Sequence, residues 1–461
     1  MWFRRDLRLS DQRALEAASA TSPVIGLFVL DPVLLAGCGP ARAHYLVVTL
    51  RALRESMNGA LVLRVGGPGE VLREVCRESG ATRVVITEDF APYGRARDER
   101  VEEELASIGV ELVRADTPYA VRPGTARTAA GTPPKVFTPF FRSWEASGVP
   151  GPQPLSSDPQ WVTLSSLEPE HLFDYAGRAR PELFAGLEDP RATTFEDVGE
   201  AGAWARLEEF LTRVDRYGEG RNQPGEELTS RLSPHLRFGT LHPRQVLAAA
   251  QGSSASAGVF RSEVAWREFY GDVLFHHPES AWRALQTSME RLRVDEGPLA
   301  HERFRAWARG ETGYPLVDAG MRQLLAEGWM HNRVRMVCAS FLVKHLHLDW
   351  RWGARWFLWC LIDADLASNQ HGWQWTAGTG TDAAPFHRVF NPTLQAERFD
   401  PDGVYVRRYV AELATVPSPQ CLQPGGGAGL LAPAGYPAPL VDAARERDEA
   451  LARFAEVRAP R

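Results

Sequence analysis

Between Trp329 and Trp375 the chain reads WMHNRVRMVCASFLVKHLHLDWRWGARWFLWCLIDADLASNQHGWQW, and seven of its fourteen tryptophans fall there. Indoles set among arginines, acids and amides could stack flat bases, grip a cofactor and pass single electrons. In the opening of this run Asn332 and Met336 share a helical face, a hydrogen-bonding amide beside a soft apolar contact. His331 alone reads as structural. The stretch after it is apolar from Val337 to Val343, which buries Arg335. A buried arginine needs a carboxylate, and Asp363 and Asp365 are the candidates. The other acid is then left to accept from a ligand N–H. No metal is expected, because no third acid or histidine follows at a useful interval. Trp373 and Trp375, two residues apart, point in different directions.

Two upstream segments add polar groups. Glu263, Trp266, Arg267 and Tyr270 are spaced to share one helical face. Such a face suits a cavity wall that stacks an aromatic ligand, or a surface helix with a Glu–Arg pair. Thr229, Ser230, Arg231, Leu232 and Ser233 follow a Gly/Pro-rich loop at 217–225, either as a phosphate cradle or as a plain helix cap.

The elements that must hold these groups divide the chain in three. Residues 1–125 alternate strand patterns (Val24–Leu30, Leu61–Val65, Val84–Thr87, Val110–Val113) with helical ones (Arg42–Met57, Gly69–Ser79, Arg95–Ile108). That alternation predicts a parallel, doubly wound, Rossmann-like sheet. The fingerprint G-x-G-x-x-G is absent, so no nicotinamide is expected at the usual place. Residues 126–198 are rich in Pro, Gly and Ser and read as a connector. Residues 199–461 are helical almost throughout and form a larger all-α domain.

Net charge is −6 over 461 residues, which on its face argues against nucleic acid. The charge is segregated, however: Arg322 to Arg355 carries six basic residues against Glu327 and Asp349. The five cysteines show no metal spacing, and the charged N-terminus is unlike a signal peptide. The chain therefore reads as cytoplasmic.

Taken in order, WFRRDLRLSDQRAL, APYGRARD, TSRLSP, WREFY, TGYPLVDAGMRQL, GWMHNRVRM, DADLASNQHGWQW and RVFNP resemble successive signatures of the photolyase/cryptochrome family. The likeness runs through nearly the whole chain and is nearest to class I cyclobutane pyrimidine dimer photolyases. It implies an α/β domain followed by a helical domain that holds U-shaped FAD. By that resemblance Tyr217 and Thr229, Ser230, Arg231, Leu232 and Ser233 hold the phosphates and ribityl chain, and Arg267 contacts the cofactor. Arg335 pairs with Asp363, Asp365 accepts from the isoalloxazine, and Asn369 lies near its N5. Glu263, Trp266, Asn332, Arg333, Met336 and Trp375 are implied to bind the dimer, with Glu263, Asn332 and Asn369 as the catalytic group. Arg221 and Arg388 are implied contacts to the DNA backbone. The implied reaction passes an electron from light-excited, reduced FAD to a flipped-out dimer, splits it and takes the electron back. Photolyases as a group extrude the damaged pair at a cost of a few kcal/mol, and stacking on Trp266 and Trp375 returns about 1–3 kcal/mol per base.

Two departures from the family pattern stand out. Trp373 and Trp350 match the proximal and middle members of an electron relay, but the distal position falls near Gly297; Trp352 and Trp356 are the possible substitutes. The chain also opens at Met1-Trp2-Phe3, a few residues short of a full first strand, through a late start or an abbreviated sheet edge. An antenna pigment is implied as well, deazaflavin rather than folate, with Asp89 and Arg237 as contacts. The expected protein is a monomer acting on damaged DNA. The alternatives are a cryptochrome-type photoreceptor and a (6-4) photolyase, though the latter would want a second histidine where Asn332 stands.

Overall fold

The computed structural model describes residues 1–20, 22–252, 254–382, 388–423 and 435–458. Five strands lie in its first 116 residues: β1 (Trp2–Phe3), β2 (Leu27–Leu30), β3 (Val62–Val65), β4 (Arg83–Thr87) and β5 (Glu111–Asp116). The helices Pro40–Ser56, Pro68–Ser79 and Pro92–Ala106 alternate with them, each opening on a proline. Proline fits a helix start because the N–H it lacks has no intrahelical partner there. The ladders β1–β2, β2–β3 and β4–β5 are parallel, with Leu27 opposite Val62 and Val84 opposite Leu112. Since β4 also lies beside β1, the spatial order is β3-β2-β1-β4-β5, that of a doubly wound sheet. The short first strand ends the hydrogen-bonded ladder β1-β2-β3 and packs beside β4 without a backbone ladder to it. Side chains after it complete the join to β4: the Thr87 hydroxyl donates to Asp6 Oδ2 at 2.6 Å, and Arg4 donates to the Thr87 carbonyl.

By packing, the chain divides into two compact units. One comprises Met1–Arg180, Thr193–Asp215 and Ser230–Pro278; the other comprises Pro181–Ala192, Arg216–Thr229 and Glu279–Arg461. Residues 126–180, read as connector, belong to the first unit and contain the helix Phe137–Ala146. Residues 230–278, read as part of the helical domain, also pack there. The reason is burial. The helix Ala255–His276 sets Trp266 and Phe269 against Phe137 and Phe140, and buried Arg244 donates to Asp11 at 3.2 Å and Asp116 at 2.9 Å. An arginine taken out of water needs both carboxylates, which ties the segment to the sheet.

The second unit is built on helices. Its core gathers Trp307, Trp350, Trp356, Trp359 and Trp373. Much of the tryptophan surplus is therefore packing: of the seven between 329 and 375, only Trp352 and Trp375 are even partly exposed. No described helix is long and apolar enough to cross a membrane, and the described residues hold no metal-ligating cluster. All five cysteines are buried, and none forms a disulfide.

Candidate functional site

In the second unit the helices Asn332–Lys344, Trp350–Cys360 and Leu366–Ala377 pack on one another. Side chains cap all three. His331 Nδ1 accepts from the Arg333 N–H at 3.2 Å, Asp349 from the Arg351 N–H at 2.8 Å, and Asp365 from the Ser368 N–H at 3.0 Å. Each satisfies a donor that the helix start leaves orphaned. Asp365, expected to meet a ligand, thus also carries structural duty through one oxygen. The choice of carboxylate for Arg335 falls on Asp363, which takes Nη1 at 3.2 Å and Nη2 at 2.8 Å. Nε of Arg335 donates to the Met330 carbonyl at 2.7 Å, so its guanidinium is held on both edges. Asp363 is nearly sealed from solvent, whereas a quarter of the Arg335 side chain is exposed.

One turn into the third helix, the Asn369 side-chain amide donates to the Ala354 carbonyl at 3.1 Å and to Gln370 Oε1 at 2.8 Å. With the amide hydrogens committed to protein, the carbonyl oxygen is turned away from them as an acceptor. Gly372 follows on the next turn, where a Cβ would meet nothing within 4 Å. Trp373 comes next, and its indole lies so close to Gly353 that a Cβ there would overlap the ring. Its indole N–H is buried with no protein acceptor among the described residues. An oriented acceptor, an arginine–carboxylate pair and open space on adjoining turns suit a flat heterocycle with ring N–H groups. The residues present fit an isoalloxazine.

On the same helices, Asn332 is exposed, Met336 and Trp375 are half-buried, and Arg333 packs over Phe399 at 4.6 Å. Arg388 is exposed, and its carbonyl accepts from the buried Lys344 ammonium at 2.9 Å. Tyr217 is buried at the start of a short helix, with the Arg221 guanidinium 5.7 Å from its ring centre. Thr229 closes that stretch of the second unit. Trp373, one of the two expected relay residues, meets Trp307 at 6.1 Å. Phe304 stands 5.8 Å beyond Trp307, and Trp352 lies 5.7 Å beyond Phe304. Trp356 packs instead on Phe184 at 4.9 Å. Trp350, the expected middle member, makes no comparable ring contact among the described residues; the Arg351 guanidinium lies 5.6 Å from its ring.

In the first unit, Glu263, Trp266, Arg267 and Tyr270 share the helix Ala255–His276. Trp266 is stacked face to face on Phe137 at 3.9 Å and 5°, so a base can use only its other face. Arg267 pairs with Glu268 at 3.1 Å, not with Glu263, and donates to the Leu236 carbonyl at 3.2 Å. Burial pushes the Glu268 carboxyl up to about 7, against the pull of Arg267 and of the Val121 N–H at 3.2 Å. Ser230 Oγ accepts from the Leu232 N–H at 3.4 Å, Arg231 takes a positive φ of 51°, and Ser233 opens the helix Ser233–Phe238. Asp89 accepts from the Ala91 N–H at 3.1 Å and pairs with Arg97, while Arg237 lies over the Phe238 ring. Three residues with a part in this geometry escape a sequence reading: Phe137, Glu268 and Trp307. Trp307 follows Ala300 and Phe304 at core spacing, while Phe137 meets Trp266, and Glu268 meets Val121, across more than a hundred residues.

Residues 1–159 match the family model for DNA photolyase, and residues 260–456 match that for the FAD binding domain of DNA photolyase. The chain is 39% identical to a deoxyribodipyrimidine photo-lyase of Agrobacterium fabrum, covering 99% of this chain and 98% of that one. A solved bacterial class III photolyase from Agrobacterium tumefaciens is similar with TM-score 0.89 and 38% identity, over 99% of this chain and 97% of the other. A cryptochrome from Synechocystis is similar with TM-score 0.85 and 28% identity, over 98% of each chain. With an FAD-binding domain matched across the helices that carry the oriented amide and the Arg335–Asp363 pair, the chain belongs to the DNA photolyase family.

Proposed function

We propose that the chain is a deoxyribodipyrimidine photo-lyase that repairs cyclobutane pyrimidine dimers in DNA. The start of the helix Asn332–Lys344 carries this reading. The exposed group there is the Asn332 amide, while His331 is buried and uses Nδ1 as a cap acceptor. That cap commits one ring nitrogen of His331 to the backbone and turns the ring inward. An amide rather than an imidazole offered at this turn favours a cyclobutane dimer over a (6-4) product.

When bound, reduced FAD supplies the light-driven electron that opens the cyclobutane ring. Tyr217, Thr229 to Ser233 and Arg267 hold the cofactor with the Arg335–Asp363 pair and Asp365, and Asn369 gives its carbonyl oxygen to a ring N–H. Glu263 and Asn332 hydrogen-bond the extruded dimer, while Trp266, Met336 and Trp375 provide apolar faces and exclude water. Arg221, Arg333 and Arg388 take oxygen atoms of the DNA. Trp373 and Trp350 serve the proximal and middle steps of an electron relay, and the ring contacts from Trp373 through Trp307 and Phe304 favour Trp352 as its outer member. A deazaflavin antenna contacts Asp89 and Arg237, and the absorbance of the purified protein identifies it. The protein works as a cytoplasmic monomer. The test is blue-light repair of a thymine dimer in an oligonucleotide, with a dark control. Light-dependent loss of the dimer supports the reading; a flavin-loaded protein that leaves it intact points to a cryptochrome-type photoreceptor.

A further inference from the structure

A guanidinium at the end of a freely rotating side chain carries rotamer entropy that binding must remove. For Arg333 the fold has already removed much of it. Nε and Nη2 both donate to Oδ1 of Asn222, at 3.1 and 2.7 Å. The guanidinium lies over the Phe399 ring, 4.6 Å from its centre. Nη1 is directed toward the Met336 sulfur at 3.6 Å, a weak acceptor that a carbonyl or phosphate oxygen outcompetes. Asn222 is itself fixed. It sits in a turn closed by the Arg221 N–H on the Tyr217 carbonyl at 2.8 Å and the Gln223 N–H on the Gly220 carbonyl at 2.9 Å. Leu228 fills the space beside Gly220 and braces that turn.

Resting on the photolyase reading above, we infer that Asn222 is a positioning residue, holding Arg333 so that its Nη1 edge meets an oxygen acceptor on the damaged DNA. The residue type matters. An amide oxygen orients the guanidinium without cancelling its charge, whereas a carboxylate would orient and neutralise it together. The turn that carries Tyr217 and Arg221 therefore also sets the aim of a third residue, 111 positions away.

A double-mutant cycle on the flavin-loaded full chain tests this, with dark binding to oligonucleotides with and without one thymine dimer over a range of salt. Asn222→Ala should weaken dimer binding about tenfold, the loss of roughly one charge-assisted hydrogen bond, with flavin content unchanged. In an Arg333→Ala background the same substitution should change affinity by less than about twofold, since coupled residues are non-additive. Equal losses in both backgrounds, or no loss in the first, overturn the inference. A salt slope shallower by about one identifies the acceptor as a phosphate; an unchanged slope with reduced dimer preference identifies a pyrimidine carbonyl. If Asn222→Ala loses its flavin, Asn222→Asp decides. Flavin-loaded protein weakened toward both DNAs supports the inference, and wild-type affinity overturns it. Wild-type protein with no preference for the dimer counts against the photolyase reading itself, and the cycle then reads the coupling on undamaged DNA.

Discussion

Glu268 sits inside the helix that presents Glu263, Trp266 and Arg267, and only 2% of it is exposed. Desolvation raises its carboxyl from the ordinary 4.5 to about 7, with Arg267 and backbone N–H groups opposing and losing. Between these two values the folded chain keeps a proton that the unfolded chain has released. Stability therefore falls as pH rises through that window and levels off above about 7. Two and a half units correspond to about 3 kcal/mol. Glu268→Gln keeps the shape and the acceptor for the Val121 N–H but does not ionise. Relative to wild type, its stability profile should be flatter between pH 5 and 7, by up to about 1.4 kcal/mol per unit. By pH 8 the variant should be ahead by about 2 kcal/mol, once the lost attraction to Arg267 is counted. Urea unfolding of the flavin-loaded protein at pH 5, 6, 7 and 8, followed by tryptophan fluorescence, reads both quantities. Asp272 is raised by burial too, but it is common to both proteins and cancels in the difference. Parallel profiles for the two proteins would refute the reasoning.

Further outcomes follow from the ring contacts and the ion pair. Trp352→Phe should slow flavin photoreduction by an external donor, and Trp356→Phe should not, because ring contacts lead from Trp373 to the former; equal rates in both rule that route out. Trp307→Phe should slow it as well, at unchanged flavin content. Phe137→Ala removes the ring stacked on Trp266 and should weaken dimer binding about three- to tenfold, the scale of one aromatic pair; an unchanged Kd means Trp266 is held by its other neighbours. Asp363→Asn leaves Arg335 half-served and should cost about 2 kcal/mol, less than a fully buried pair because Arg335 still reaches water. Flavin retained per protein after dialysis measures this, and full retention contradicts it.

The sheet was legible because its strands are short apolar runs between helices of the right length, a pattern local to each segment. The site was legible where spacing along one helix set it, as for Asn332 with Met336. Two limits have physical causes. Spacing alone leaves Asp363 and Asp365 equivalent; the family resemblance singles out Asp363 for Arg335, the fold makes that pair, and only the fold adds that Asp365 caps a helix. Phe137, Asn222 and Glu268 act on partners more than a hundred residues away, and nothing in their own segments records that. The tryptophan-rich region misleads in the other direction, since most of its indoles fill a core.

Gly353 shapes the last link between the buried indole and its surroundings. Trp307 and Phe357 meet the Trp373 ring as side chains, but the edge against Gly353 rests on main chain, which has no rotamer to wait for; rotamer changes are among the picosecond-to-nanosecond motions of a protein. On that edge the seat of the indole is therefore set by the helix itself. Even an alanine at 353 would act as a wedge, pushing the indole off that seat.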